Sequence, residues 1–388
     1  MPLKPFSSPT IHYGRGSLKA LRNIKGKKVL IVTDKTLTEL GIVEKVTKQI
    51  EKSKEKMEYR IFDEIEPDPI DNTIMKGVEI AKEFEPDWFI GLGGGSSMDA
   101  AKTIWILYER PDLDLKEIIP MKYLGLRKKA KIIMIPTTSG TGSEVTWAMV
   151  ITDSKRKAKL SLGSEEAVAD IAIVDPALTM TMPPKVTAYT GVDALTHAIE
   201  GFISTVKNDY SDGLCLKAMK LIFKNLPIAV NNGEDKDARE AMHNAATISG
   251  LGFGNSQAGL AHAAGHSIGA KLNIPHGIAV GIMLPYVIQF CQKTSEEYFK
   301  EINTFIGLKG EGAAAKILAN HIMDLYKQIN FPTSIKEIIS KEEFDEKFSE
   351  LVRFTLIDPS GTTNPRKIEK ETAEALLIAA YEGKDIDF

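Results

Sequence analysis

The sequence predicts an α/β half followed by an all-helical half. Over the first 180 or so residues, apolar β-branched runs alternate with amphipathic stretches, the pattern of parallel βαβ units. Met182-Pro183-Pro184 then stops that pattern, because two adjacent prolines favour extended backbone. Beyond it, segments rich in Ala and Leu repeat at a spacing of 3.6 residues. The boundary is placed at residue 183, which divides the chain into domains 1–183 and 184–388. At 388 residues the chain exceeds the roughly 250 to 300 at which single cores stop growing, so each domain is expected to bury a core of its own.

The N-terminal elements follow in order. Val29 to Thr33 reads as a buried strand, residues 38–56 as a helix, and Trp88 to Leu92 as the next strand. Lys131 to Ile135 and Ala172 to Val174 continue the series. Val145 to Thr152 and Ala158 to Leu162 flank the polar run Asp153-Ser154-Lys155-Arg156-Lys157 as a hairpin would. In the second half, Asp212 to Asn225, Asp237 to Gly250 and Lys370 to Glu382 carry the helical period.

The formal charge is only −3, with both signs interspersed, which excludes the basic field of a nucleic-acid binder. No run approaches the roughly 20 apolar residues that span a bilayer, so no membrane partner is expected. Cys215 and Cys291 are too few and too far apart for a disulfide framework or a thiolate zinc site, which suits a reducing cytoplasm.

Gly91-Leu92-Gly93-Gly94-Gly95-Ser96-Ser97-Met98-Asp99 follows a predicted strand and opens a predicted helix. There, bare backbone N–H groups and the helix dipole can hold a phosphate, and glycines let the backbone come close to it. The segment is neither G-x-G-x-x-G nor a Walker P-loop. A second polar loop, Pro136-Thr137-Thr138-Ser139-Gly140-Thr141-Gly142-Ser143-Glu144-Val145-Thr146, follows the strand ending at Ile135. Ligands of open α/β sheets sit outside the carboxyl ends of strands, so the two loops together point to a nucleotide. Asp34, at the end of the first predicted strand, can accept hydrogen bonds from a ribose and repel a 2′-phosphate, which favours NAD over NADP.

Asp193 and His197 stand four apart in a helical segment, one turn from each other on one face. His262, His266 and His276 fall in a stretch with almost no charge to solvate them, His276 in a turn after Pro275. Three imidazoles and one carboxylate suit a borderline divalent ion such as Fe²⁺ or Zn²⁺, whereas Ca²⁺ and Mg²⁺ prefer oxygen shells. Spacing leaves the last place open, since either His266 or His276 can complete the shell. His12, His243 and His321 have no such company and read as ordinary surface or core residues.

With these motifs the chain resembles the iron-containing (group III) alcohol dehydrogenases over nearly its whole length. The likeness rests on Gly93-Gly94-Gly95-Ser96-x-x-Asp99, Pro136-Thr137-Thr138-x-Gly140-Thr141-Gly142-Ser143-Glu144, Gly191-x-Asp193-Ala194-x-x-His197-Ala198-x-Glu200, His262-x3-His266 with Pro275-His276-Gly277, and Asn364-Pro365-Arg366. The resemblance implies a dehydroquinate synthase-like architecture, with an N-terminal dinucleotide-binding sheet domain and a C-terminal helical domain that binds metal. It also implies NAD as cofactor, with NADP the alternative, and one divalent metal, Fe²⁺ before Zn²⁺, held by Asp193, His197, His262 and His276. His266 then stands beside the site in a proton-transfer or substrate-positioning role.

The positions that match the family's cofactor contacts are Asp34, Asp68, Gly94, Gly95, Ser96, Asp99, Thr137, Thr138, Ser143, Thr146 and Lys159, with Asp68 where many members carry Asn. After Pro275-His276-Gly277 many relatives have a small residue and then Asn-Ala, whereas this chain has Ile278-Ala279-Val280-Gly281. That difference leaves the ligands intact and limits any inference about substrate. The activity implied is reversible oxidation of a small primary alcohol or diol to an aldehyde by a homodimer or larger assembly. A metal-dependent lyase or hydrolase on the same architecture is the alternative.

Overall fold

The structure is a computed structural model that describes residues 5–156 and 158–388. The chain divides into two compact units, Met1–Thr181 and Met182–Phe388, a break two residues before the expected one.

Among the described residues the first unit holds eight strands: β1 (Thr10–Tyr13), β2 (Lys28–Val32), β3 (Glu58–Phe62), β4 (Trp88–Gly93), β5 (Lys131–Pro136), β6 (Ala148–Asp153), β7 (Ala158–Gly163) and β8 (Ile171–Val174). Its helices are α1 (Lys35–Glu39), α2 (Ile42–Glu51), α3 (Asp71–Phe84) and α4 (Gly95–Glu109). Six strands form one sheet in the order β1-β8-β5-β4-β2-β3, parallel throughout. The other two, β6 and β7, make the expected antiparallel hairpin.

Strand periodicity decides which side chains meet which helices. Leu30 and Val32 of β2, Phe89 of β4 and Ile132 and Met134 of β5 pack with Ile74, Val78, Ile104 and Trp105 on one face. Val29, Ile31, Ile90, Leu92, Ile133 and Ile135 point the other way, onto Val43, Val46 and Ile50 of α2. Burial on both faces explains why these strands read as continuous apolar runs. The edge strands β1 and β3 went unpredicted for the converse reason. Glu58-Tyr59-Arg60-Ile61-Phe62 is buried only at its last residue, and the side chains of β1 are mostly exposed, so neither carries an apolar run.

Two expectations for this unit need correction. The helix expected over residues 38–56 is two helices, because the chain breaks at Leu40-Gly41, where Gly41 adopts φ 69°, and α2 ends at Glu51. The strand expected from Val145 begins only at Ala148, since Ser143–Val145 forms a short 3-10 turn.

The second unit is helical: α5 (Pro184–Ile203), α6 (Asp209–Asn231), α7 (Lys236–Gly254), α8 (Leu260–Leu272), α9 (His276–Phe290), α10 (Gln292–Ile306), α11 (Ala314–Gln328), α12 (Lys341–Ile357) and α13 (Lys370–Glu382). Buried from Ile278 through Phe290, α9 is apolar all round and packs against α5, α8, α11 and α13. His276 is the first residue of this helix, not part of a turn. Helix α6 runs six residues beyond its expected end, through Pro227. Among the described residues, no helix is long and apolar enough to cross a membrane.

Candidate functional site

In the first unit the chain leaves β2 toward β3 on one side of the sheet, and β4 lies on the other side of β2. This reversal opens a crevice at the carboxyl ends of the strands, where open α/β sheets bind ligands. A cavity of about 600 Å³ sits there, walled by Asp34 to Leu37 after β2, Asp63 to Pro67 after β3, Gly94 to Ser97 after β4, and Thr137 and Thr138 after β5. Helix α4 begins at Gly95, so its free N–H groups and positive dipole end lie in the cavity wall. A Cβ on Gly94 would meet Thr138, and one on Gly95 would stand 3.0 Å from Thr141, so the glycines keep the turn bare and tightly packed.

Of the residues expected to contact a cofactor, Asp34, Gly94, Gly95, Ser96, Thr137 and Thr138 line this cavity. The Asp34 carboxylate also caps α1, accepting from Leu37 N–H at 3.1 Å, and takes a second hydrogen bond from Ser97 Oγ at 3.3 Å. The cavity wall does not include Asp68, Asp99, Ser143, Thr146 or Lys159. Asp68 lies at the rim, with φ 55°, its N–H donated to Ser96 Oγ at 3.4 Å and its carboxylate paired with Lys159 at 2.7 Å.

Asp99, Ser143 and Thr146 face a buried ammonium instead. Lys102 Nζ donates to Ser143 Oγ (3.0 Å), Thr146 O (2.8 Å) and Ala148 O (3.3 Å), while Asp99 accepts from Ser143 Oγ (2.7 Å) and Val150 N–H (2.9 Å). Burial lowers Lys102 to about 8, against the opposing pull of Asp99 and Glu144. These groups tie α4 to the threonine loop and hold two cavity walls together. The sequence shows Lys102 but not this role, because its acceptors lie more than 40 residues away.

In the second unit, α5 brings Asp193 and His197 onto one face, α8 contributes His262 and His266, and α9 contributes His276. Donor atoms of Asp193, His262 and His276 all lie within 4.8 Å of one another. From Asp193 Oδ1 the distances are 3.7 Å to His197 Nδ1, 3.7 Å to His262 Nε2 and 3.4 Å to His276 Nε2. Three of these atoms, Asp193 Oδ1, His197 Nδ1 and His262 Nε2, are buried without a hydrogen-bond partner. Each such orphan costs about 1–3 kcal/mol unless something else coordinates it. A divalent ion among them would satisfy all three, and three nitrogens with one carboxylate oxygen are a donor set that suits a borderline transition metal.

Burial pushes His197 down to about 3, which keeps the ring neutral with one nitrogen lone pair free. Burial alone would raise Asp193, but His197, His276 and His262 outweigh it and hold the carboxylate well below its ordinary value. His262 moves up against burial, drawn by Glu200 and Asp193. The His197 ring stacks on Phe253 with centroids 3.9 Å apart, which fixes its orientation.

His266 does not join the converging atoms. Its Nδ1 lies 2.9 Å from Asp358 Oδ2, and its ring stacks on His276 at 5.3 Å. Burial lowers it more than Asp358 raises it. Asp358, 92 residues away, had no signal in the sequence. Glu200 was visible as part of a motif but without a role; its Oε2 contacts His262 Nδ1 and its Oε1 accepts from Ala261 N–H at 2.5 Å. Of the remaining histidines, His243 is buried in the helical core and His321 donates to Lys309 O at 2.9 Å.

Comparison with known proteins follows the same division of the chain. The iron-containing alcohol dehydrogenase family model matches residues 8–176, and the C-terminal model of the Fe-containing alcohol dehydrogenase family matches residues 187–381. The NADPH-dependent butanol dehydrogenase of Clostridium saccharobutylicum is 40% identical over 97% of this chain and 98% of its own length. An aldehyde-alcohol dehydrogenase of Streptococcus pneumoniae is 37% identical over 96% of this chain, which spans 45% of that longer protein. The sulfoacetaldehyde reductase of Bifidobacterium kashiwanohense, solved in complex with NAD⁺, superposes with a TM-score of 0.87 at 29% identity, covering 98% of this chain and 99% of the other. The chain belongs to the iron-containing alcohol dehydrogenase family.

Proposed function

We propose that this protein is a metal-dependent NAD(P) alcohol dehydrogenase and aldehyde reductase that interconverts a short primary alcohol or diol with its aldehyde. One observation carries the reading: donor atoms of Asp193, His262 and His276 gather within 4.8 Å of one another, with His197 Nδ1 3.7 Å from Asp193 Oδ1, and three of these four atoms are buried without a hydrogen-bond partner. Family membership supports redox chemistry over the lyase or hydrolase alternative, and the butanol dehydrogenase likeness supports a small primary alcohol.

In this reading Asp193, His197, His262 and His276 hold one divalent ion, Fe²⁺ by family and Zn²⁺ as the alternative. When bound, such an ion supplies Lewis acidity, which for water on zinc lowers the pKa from 15.7 to about 7, worth about 12 kcal/mol. The glycine turn and the first amides of α4 hold the cofactor's pyrophosphate, and Thr137 and Thr138 line the same cavity. Asp34 accepts from the adenosine ribose and disfavours a 2′-phosphate. That supports NAD, although the 40% identical relative is NADPH-dependent. His266, oriented by Asp358, carries the alcohol proton outward. Assembly as a homodimer or larger oligomer in a reducing cytoplasm completes the proposal, and both cysteines are free and buried.

The test is anaerobic metal analysis of the purified protein, coupled to NADH and NADPH assays over a panel of alcohols and aldehydes. One equivalent of metal per chain and activity that disappears on chelation are expected. Activity that survives exhaustive chelation defeats the metal-dependent reading. Failure of every alcohol to reduce nicotinamide, with turnover of a substrate that undergoes no net redox change, would favour the lyase alternative.

A further inference from the structure

Helix α5 carries a third ionisable side chain on the face that presents Asp193 and His197. Glu200 follows His197 by three residues and Asp193 by seven, so all three share one stripe of the helix. It is only 1% exposed. A buried carboxylate is strongly unfavourable unless hydrogen-bonded, so its partners explain its presence. Those partners are two donors from α8: Ala261 N–H at 2.5 Å to Oε1, and His262 Nδ1 at Oε2. Gly259, at the N-cap of α8, makes room for the contact, since a Cβ there would stand 2.9 Å from Oε1.

We propose that Glu200 is a positioning residue for the metal centre, fixing His262 in the tautomer that presents a bare Nε2. By accepting a hydrogen bond from Nδ1–H, Glu200 leaves the lone pair on the opposite nitrogen, and its charge makes the imidazole a stronger donor. Nε2 is the His262 atom that lies 3.7 Å from Asp193 Oδ1, buried and without a hydrogen-bond partner. The contact also fixes the ring rotation, because Oε1 is anchored on the α8 backbone while Oε2 holds the ring. Helix α5 thus supplies two ligands and the group that aims a third. The inference rests on the metal-ligand reading above and extends it to a residue outside the ligand set.

The chemistry predicts why an isosteric amide fails here. Two donors face Glu200, and glutamine offers only one acceptor oxygen. With that oxygen on Ala261 N–H, the NH₂ group confronts Nδ1, drives the ring proton to Nε2 and blocks the ligand atom. With the amide flipped, two N–H groups oppose each other at Ala261 and the unsatisfied amide is buried.

The test uses Co²⁺ as the probe ion on metal-free full-length protein, comparing wild type, Glu200→Gln and Glu200→Asp. Affinity is read by competition with a chelating dye, coordination by the visible absorption of bound Co²⁺, and packing by thermal unfolding of the metal-free form. Glu200→Gln should bind Co²⁺ about 10–100-fold more weakly, with a changed visible spectrum. Glu200→Asp keeps both oxygens on a shorter arm and should recover part of the affinity. Affinity and spectrum equal to wild type in Glu200→Gln, with only the unfolding temperature lowered, would mean a structural role and overturn the proposal. If Glu200→Gln does not fold, Glu200→Ala, which removes the acceptor altogether, decides, and wild-type affinity and spectrum there overturn it equally. Wild-type protein that takes up no Co²⁺ would instead defeat the ligand assignment on which the proposal depends.

Discussion

Substituting Gly265 by alanine tests whether the spacing of two helices sets the geometry of the metal site. Gly265 lies one turn beyond His262 on α8, and Val280 lies one turn beyond His276 on α9, so the two pairs form successive layers of one helix contact. A Cβ on Gly265 would stand 2.5 Å from Val280 Cγ1, 2.8 Å from its Cα and 2.9 Å from its N. The Cγ1 atom can rotate away, but Cα and N are backbone and move only with α9. Restoring an ordinary carbon contact of about 3.5 Å requires the helices to separate locally by roughly 0.7 Å. Metal sites tolerate errors of only about 0.2 Å in ligand distance, so His262 and His276 would no longer reach one ion together.

Overpacking of this kind destabilises by about 1–3 kcal/mol, and the better helix propensity of alanine returns roughly 1 kcal/mol of it. A modest loss of stability should therefore accompany a large loss of metal affinity, at least about tenfold. Equilibrium dialysis against buffered Zn²⁺, with thermal unfolding of the metal-free protein, measures both. Wild-type affinity with an unchanged unfolding temperature would refute the reasoning.

Three further perturbations test other parts of the structure. Asp34→Gly removes a carboxylate from the cavity while keeping a residue tolerated at a helix N-cap; the ratio of kcat/KM for NADP over NAD should rise about tenfold, and an unchanged ratio would remove Asp34 from cofactor selection. His266→Ala should keep close to one metal per chain while turnover falls by about a hundredfold or more; metal loss in that variant would mean the ligand set is drawn wrongly. His243 is held by burial at about 3 against an ordinary 6.5. Since the fold keeps it neutral, its contribution is fully present above pH 6.5 and is lost as the pH falls toward 3, at most about 5 kcal/mol. Urea unfolding of the metal-free protein from pH 7 to 4 should therefore show a flatter pH dependence in His243→Asn than in wild type, and equal slopes would remove that explanation.

The legible parts of this chain are those whose cause is local. Trp88 to Leu92 and Lys131 to Ile135 announced themselves because both faces of a central parallel strand are buried, and α13 kept its expected bounds because its apolar period runs the length of the helix. Glu58 to Phe62 forms a strand only because β2 lies beside it, and nothing in its own pattern says so. Asp99 and Ser143 illustrate the same limit in the site. Their motif placed them beside a nucleotide loop, while Ser143 Oγ accepts from the buried Lys102 and donates to the Asp99 carboxylate.

By itself the sequence determined the two halves, the glycine turn and the inventory of possible ligands, since each is written in composition, period or short spacing. Tertiary structure decided which histidine meets Asp193. His266 and His276 are equivalent on spacing, but the turn between α8 and α9 brings His276 Nε2 to 3.4 Å from Asp193 Oδ1 while Asp358 draws His266 aside. It also decided the partners Glu200–His262 and Lys102–Ser143, which are 62 and 41 residues apart. Contacts at such separations come from the packing of whole helices and loops, and no local pattern in the chain encodes them.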